Sequence, residues 1–571
     1  MNPLRKIPLL VKEIGLRDLA SYALYAIQVR SGILQLRTPL RGAQIPSASL
    51  KKGAPTVSFD PVNWQAVKPA GIAKQELNDA SLLLEDFYRP FRGEARKLDL
   101  SASWPLNQHW TKYSSDEDIK LTWEPARFVW ALDLAQVYTT TKDERFVELF
   151  WSGFEEFQRN NPVNAGPNWS NGQEVALRLV MWLLAYSAFH DSPTTTQERV
   201  GALTRAVSQH AERILPTRHY ARSQHNNHVL SEALGLVFAG EFLTGVDTRA
   251  EKWVGEGLSE FERAVLDQVD DEGAYAQHSA NYQRMMLQLA LLADAVLRKR
   301  GILFSPAVMN KLTLATLWSI TYLDKPSGRL PNLGHNDGTL LLPFGCEDYR
   351  DYRPTIQAAS RAFLGHTALA PGKWDTLSAW LRLPAGESAV VIPASPAVHR
   401  VGSETTWASL RGVKHTRRPA HADQLHVEIW HRGINLARDA GTYLYNAPPP
   451  WQNPFDRTRM HNTVTVNEKD QMERVSRFLW LDQAQASWIK PETPDTVCAS
   501  HDGYRRFGIT HARCLQYLPP AGFLITDTLN PRNPGQEGSY CLHWLLPDWH
   551  YQLDAQSLKL RHGSLTVHVE V

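Results

Sequence analysis

Cysteine is scarce in this chain: four in 571 residues, at Cys346, Cys498, Cys514 and Cys541. Their spacing has neither the paired CxxC of a zinc ribbon nor the density of a disulfide scaffold, so no disulfide framework is implied. Net charge is equally small, because 61 Lys and Arg against 59 Asp and Glu leave +2. No global basic field therefore marks a nucleic-acid partner. No run is long and apolar enough to span a bilayer, which takes about 20 residues. The opening stretch, MNPLRKIPLLVKEIGLRDLASYALYAIQV, is basic, but Lys12, Glu13, Arg17 and Asp18 interrupt its apolar residues. It lacks the continuous apolar core and small-residue cleavage site of a secretory signal. It reads instead as an amphipathic helix suited to a membrane surface or a partner, on a soluble and cytoplasmic chain.

Aromatic residues are plentiful, with 19 Trp and 18 Tyr. Such rings can line a sugar-binding cleft, where a ring face packs on C–H patches and polar tips bond hydroxyls, although most belong to cores. The length suits two or three domains. Residues 1–75 are the amphipathic helix and a basic linker, RTPLRGAQIPSASLKKGAP. ELNDASLLLEDFYRPF opens with an Asn/Asp cap candidate, and WEPARFVWALDLAQVYTT, GQEVALRLVMWLLAYSAF and NYQRMMLQLALLADAVLRK follow with a period near 3.6. Residues 76–385 therefore form an array of helical hairpins. Heptads are not sustained and no short repeat recurs, so a closed or partly closed toroid is expected rather than a coiled coil or solenoid. Residues 386–571 turn to short β-rich runs such as HVEIWHRG, FGITHARCLQYL and GFLITDTL, expected to be an antiparallel β-sandwich. The last run, SLTVHVEV, reads as an edge strand or as the sign of a domain that continues.

Residues 417–461 concentrate the chemistry. His421, Asp423, Asp439 and His461 fall at strand ends and turns, where imidazoles and carboxylates can converge. Two imidazoles with a carboxylate suit a divalent metal, zinc best. The alternative is a sheet whose polar loop residues happen to include histidine.

The motifs DIKLTWEPARF, NWSNGQEVALR, QHNNHVLSEALGL, DDEGAYAQHSANYQR, PNLGHNDG, HADQL, LARDAGTYLY and MHNTV run in that order from about Trp104 to the C-terminus. In them the chain resembles the heparinase II/III-like polysaccharide lyases and their alginate-lyase relatives. The resemblance implies an α/α toroid followed by an antiparallel β-sandwich, with a cleft between them. It also implies β-elimination on an acidic, uronic-acid-containing polysaccharide or oligosaccharide, and a periplasmic setting becomes an option. Such a reaction must neutralise the uronate, remove the C5 proton and protonate the departing O4.

Carried over residue by residue, Asn227 and His228 match the pair that neutralises the carboxylate, and Tyr282 matches the general acid, which can also act as base. Asn227 could instead be a helix N-cap, and Tyr282 a helix start with its hydroxyl in solvent. Arg284 and His278 lie near Tyr282 in sequence and could lower its pKa. His421, Asp439 and His461 match a structural metal triad, expected to hold zinc. Trp169, Arg127, Arg178, His278, Tyr443 and Tyr445 are candidate substrate-binding residues. Glu124 with Arg127 and Glu174 with Arg178 have the spacing of ordinary helix ion pairs. Asn336 and Asp337 could orient the cleft or form a turn. The chain departs from the family where many members carry His-x-His-x-Asp, since Pro419 stands at the first histidine. His415, Arg417 or Arg418 are the nearest substitutes. Two other readings remain: a hydrolase using Asp271, Glu272 or Asp337, and a non-catalytic factor in exopolysaccharide synthesis or export.

Overall fold

The computed structural model describes residues 3–40, 59–67, 74–101, 104–105, 107–113, 118–338, 340–388, 393–396, 398–444, 450–451, 453–533 and 538–571. Its helical part runs α1 (Pro3–Ile14), α2 (Leu16–Arg30), α3 (Ile33–Arg37), α4 (Lys74–Leu84), α5 (Lys120–Ala126), α6 (Trp130–Thr141), α7 (Glu144–Asn160) and α8 (Gly172–Phe189). It continues with α9 (Gln197–Ile214), α10 (Arg218–Gln224), α11 (Asn227–Leu243), α12 (Ala250–Gln268), α13 (Ala280–Lys299), α14 (Pro306–Tyr322), α15 (Arg353–Ala359) and α16 (Asp375–Trp380).

Sequence chemistry starts several of these helices. The side chains of Asp143, Asn171, Thr196, Asn226 and Ser279 each accept a backbone N–H from the first turn of α7, α8, α9, α11 and α13. The expected Asn/Asp cap of α4 falls inside the helix, which begins at Lys74. Helices α8, α11 and α13 are buried nearly all round, whereas α7, α9 and α12 keep a polar face. Inner helices inside a ring of amphipathic outer ones are what a toroid of hairpins requires. Close approach needs small residues. A Cβ on Gly257 of α12 would meet the Ala233 carbonyl of α11 at 2.7 Å.

The N-terminal segment is not one helix. Gly15, at φ +89°, breaks it into α1 and α2. The arm they form touches both halves of the molecule. The Glu13 carboxylate accepts the Asp482 and Gln483 N–H groups at 3.1 and 3.0 Å, and Asp18 pairs with His225 beyond α10 at 2.5 Å.

After α16 the chain becomes β-rich, close to where the texture of the sequence changes. One antiparallel sheet orders Arg400–Gly402, Thr406–Leu410, Val427–His431 and Ile434–Ala437. A second orders Ala486–Ile489, Thr496–His501, Ile509–Leu518 and Gly522–Pro531. Val401, Ala408, Leu410 and Val427 of the first pack on Ala499 and Leu515 of the second, which makes the pair a sandwich. The final strand, Leu565–Glu570, lies at the edge of a small third sheet.

Cysteine corrects one expectation. Cys498 and Cys514 oppose each other on neighbouring strands, with Cα atoms 4.2 Å apart, and form a disulfide. Pairing across a register is invisible in linear spacing.

Candidate active site

Two helix starts and one loop build the site. Asn226 caps α11, so the next two residues enter the helix with side chains facing α8 and α13. The N-cap alternative thus falls on Asn226 and not on Asn227, which is buried. The Asn227 amide Nδ2 donates to Gln173 Oε1 at 2.5 Å and lies 3.4 Å from the sulfur of Met285. Met285 follows Tyr282 by one turn of α13. His228 is half-buried, and its Nδ1 meets no protein partner. Burial, with Arg127 near and Glu174 opposing, pushes its imidazole down to about 4. It is therefore neutral at neutral pH.

Tyr282 is buried near the start of α13, where Ser279 Oγ accepts its backbone N–H at 3.1 Å. Its hydroxyl is near Asp337, whose charge it feels, and the residue is buried rather than open to solvent. Burial first, and then the Asp337 charge, hold the phenol well above its ordinary pKa, against the pull of Arg127. Arg284 is not the cation beside this phenol. It lies buried over the Tyr349 and Tyr352 rings and donates to Asn281 Oδ1 at 2.7 Å.

Arg127 stands between these groups. Its Nε and Nη2 donate to Glu174 at 2.7 and 2.8 Å, and Nη1 reaches Glu124 at 3.2 Å and the Gly338 carbonyl at 2.7 Å. Breaking such a buried pair from one side costs about 3–5 kcal/mol. Its donors are committed within the protein, so Arg127 positions the site and offers no open fork to a substrate. Glu174 pairs with Arg127 from another helix, not with Arg178 one turn along. Glu124 is half-buried, and this desolvation raises its carboxyl to about 7 despite Arg127.

The loop 331–338 joins the halves. Ala280 N–H donates to the Leu333 carbonyl at 3.1 Å and Ser279 Oγ to the His335 carbonyl at 2.5 Å. From the other side, Asn332 N–H donates to Glu428 at 3.0 Å and Asn336 N–H to Thr442 at 2.8 Å. Gly334 has φ +66°, and a Cβ there would meet the His278 carbonyl at 2.6 Å, so this position needs glycine. The loop delivers Asp337 to Tyr282 and to Lys120, at 3.3 Å, and stacks His335 edge-on to His421 at 5.3 Å. Lys120 and His335 were missed in the sequence; the Gly-His-Asn-Asp-Gly string was the available signal.

Beside that loop, His421, Asp423, Asp439 and His461 are all buried and place one potential ligand atom each within 4.8 Å of one another. Both ring nitrogens of His421 and Nε2 of His461 meet no hydrogen-bond partner. His461 Nδ1 bonds Asp439 at 3.0 Å, and Asp423 lies 2.8 Å from Arg411. Burial and the neighbouring His461 push His421 down to about 3, leaving a neutral imidazole lone pair. Buried nitrogens left orphaned beside two carboxylates fit a divalent cation such as zinc, which they could hold. Asp423 joins the expected triad as a fourth donor, and His426, 3.7 Å from Asp439, stands behind it.

Other expectations need correction. Trp169 is 0 % exposed, with its indole N–H on the Asn161 carbonyl and its ring 4.6 Å from His210, so it offers no face to a sugar. Arg178 is likewise 0 % exposed; it donates to His210 and the Asn168 carbonyl and lies over the Phe157 ring. Burial brings its guanidinium down to about 9. Both belong to a polar inlay of the toroid core. His278 is held at φ +48°, facing His415 with ring centroids 5.1 Å apart, and its carbonyl accepts from Arg411. Tyr443 is exposed and packs near Phe455 and Trp451, while Tyr445 lies outside the described residues. Pro419 is buried. Arg417 is bound to Asp267 and Arg418 to Gln224 at the start of the QHNNH motif, while His415 faces His278. Asp271 is 99 % exposed and pairs with Lys311, which removes it as a cleft acid for hydrolysis.

Residues 67–339 match the family described as Heparinase II/III N-terminus, and residues 398–569 that described as Heparinase II/III-like, C-terminal. The heparin-sulfate lyase of Bacteroides stercoris is 21 % identical over 472 residues, covering 76 % of this chain and 65 % of that protein. That of Pedobacter heparinus is 22 % identical over 456 residues, covering 76 % and 63 %. The chain thus spans a little under two thirds of the length of these curated relatives. Among solved structures, a heparinase III aligns over 96 % of this chain and 83 % of its own at 14 % identity, TM-score 0.59. A mutant of the heparan sulfate lyase HepC from Pedobacter heparinus aligns over 99 % and 82 % at 19 % identity, TM-score 0.52. At these identities the likeness shows the fold: a helical toroid followed by antiparallel sheets.

Proposed function

The chain belongs to the heparinase II/III-like family, and from that premise we propose that it is a polysaccharide lyase cleaving a uronic-acid-containing polysaccharide by β-elimination. The observation that carries the reading is the buried Tyr282 with Asp337 and Arg127 as its charged neighbours, and with Asn227 and His228 opening the neighbouring helix. In the reaction the C5–H bond breaks, its electron pair forms the C4=C5 double bond, and O4 departs from C4 and takes a proton. Tyr282 is protonated at neutral pH, which suits it to give that proton to O4. For Tyr282 to accept the C5 proton it must first lose its own, and Asp337 is the neighbouring carboxylate that would take it. The neutral imidazole of His228 and the amide of Asn227 face the uronate and stabilise the charge that builds on it.

The cluster of His421, Asp423, Asp439 and His461 would hold a divalent ion that ties the sandwich strands beside the loop 331–338 and takes no proton. The similarity to heparin-sulfate lyases makes heparan-type polymers the first substrates to try. The Cys498–Cys514 disulfide supports residence in an oxidising compartment such as the periplasm. The test is near-ultraviolet absorbance of the unsaturated uronate, followed with purified protein on heparan-, glucuronan- and alginate-type polymers. A rise that vanishes in Tyr282→Phe supports elimination. Chain cleavage without that absorbance overturns it.

A further inference from the structure

Helix α2 packs Tyr25 and Val29 against the core but turns much of its aliphatic surface outward. Its buried residues are the polar Asp18 and Gln28, whereas Leu16 and Ile27 stand 70 % and 59 % exposed. At 3.6 residues per turn, Leu16, Ala20, Ala23 and Ile27 fall on one stripe, with Leu24 on its shoulder, and all five are exposed. Scattered apolar residues on a surface need no explanation, but a helix that buries its acid and presents its aliphatic stripe does. Ile7 and Val11 of α1 and Leu36 of α3 are exposed as well.

Charge says what covers it. Between residues 3 and 40 the acids are Glu13 and Asp18, and both turn inward. Glu13 accepts two backbone N–H groups of the sandwich, and Asp18 pairs with His225. Lys12, Arg17, Arg30 and Arg37 are exposed, and Arg17 and Arg30 flank the stripe of α2 on either side. An outward apolar stripe bordered only by cations complements an anionic bilayer surface, where aliphatic side chains enter the acyl boundary and arginines meet phosphates. A second copy would set these cations against each other. No helix among the described residues is long and apolar enough to cross a membrane, so the contact is peripheral. We propose that the exposed stripe of α2 and its flanking arginines dock this chain on an anionic lipid surface. The arm also grips both halves of the molecule, so docking would hold the toroid and the sandwich at a fixed orientation to the bilayer.

The test is co-sedimentation of the full chain with vesicles of phosphatidylcholine, alone or mixed with phosphatidylglycerol. Binding is expected on the mixed vesicles only and should weaken with salt. Leu16→Ser/Ile27→Ser should lower the partition coefficient at least about tenfold, as should Arg17→Glu/Arg30→Glu, at roughly tenfold or less per charge. Both variants alter exposed positions, and unchanged circular dichroism and melting temperature confirm that they fold. Absence of binding to mixed vesicles overturns the proposal. So does binding lost only with the arginines, which would be adsorption by charge alone. Self-association in light scattering, abolished by Leu16→Ser/Ile27→Ser, would instead assign the stripe to a second copy and also overturn it.

Discussion

The Tyr282 phenol has the Asp337 carboxylate as its charged neighbour, which sets the first turn of α13 against the loop 331–338. That loop is itself hydrogen-bonded to Glu428 and Thr442 of the β-rich half. Burial sets the direction of the phenol's pKa, and the Asp337 charge adds to it. Tyr282→Phe should lower turnover by about 10²–10⁴-fold, the worth of a positioned proton donor. Asp337→Asn removes the negative charge, so the phenol ionises at lower pH. The alkaline fall in kcat should then begin at lower pH than in the unaltered chain. A profile that does not move would mean that Asp337 does not govern this proton.

Metal removal should cost stability. A chelated sample should melt at a lower temperature than the zinc-loaded one, because the linkage term removes about 4 kcal/mol of stability when the ion is 1,000-fold above its Kd. His461→Ala should abolish the difference. Metal analysis that finds no ion, together with zinc addition that leaves the melting temperature unchanged, would rule the site out.

How far the sequence could be read depended on whether a signal was local. The change from 3.6-residue to two-residue periodicity marked the toroid and the sandwich, because each element must bury one face. His421, Asp423, Asp439 and His461 could be singled out because they crowd the ends of neighbouring β-rich runs, and the fold does bring them together. Trp169 and Arg178 misled because polar and aromatic residues on a helix do not announce whether the helix is inner or outer, and α8 is inner. Asn227 was displaced from the cap by its neighbour Asn226, a one-residue matter that composition cannot settle. The convergence of Lys120, His335 and Asp337 near Tyr282 is tertiary, made by a loop whose path depends on Gly334.

The clasp between arm, toroid and sandwich should be sensitive to pH. His225 pairs with Asp18 and Asp267, and Arg417 pairs with Asp267 as well. Burial alone would lower the His225 pKa, but the bonds to Asp18 and Asp267 outweigh it and raise the value above 6.5. A raised histidine contributes stability that is fully present below its unfolded pKa and is lost as pH rises through the folded one. Asp18→Asn should therefore lower the melting temperature in mildly acidic buffer and change it little in alkaline buffer. A deficit that grows with pH would contradict the assignment.

The disulfide gives an independent check. Cys498 and Cys514 are 16 residues apart, and closing a loop of that size stabilises a fold by about 3 kcal/mol. Cys498→Ser should lower stability by roughly that amount under oxidising conditions and by almost nothing in strong reductant. Peptide mapping without reductant should recover the two cysteines linked, with Cys346 and Cys541 as thiols.

Pro419 decides whether the site works without the histidine that many relatives carry there. It is buried in a segment whose next-door Arg418 is fixed to Gln224 and the Ser223 carbonyl, so a side chain at 419 has little freedom to reach a substrate. If Tyr282 and Asp337 handle the proton between them, Pro419→His should change turnover by less than about tenfold, the range of an indirect packing effect rather than of an added base. The comparison should be made on the polymer that gives the strongest ultraviolet signal, with kcat and KM measured separately. A gain of a hundredfold or more in kcat would show that the unaltered chain lacks its base, and would move Tyr282 to the role of acid alone.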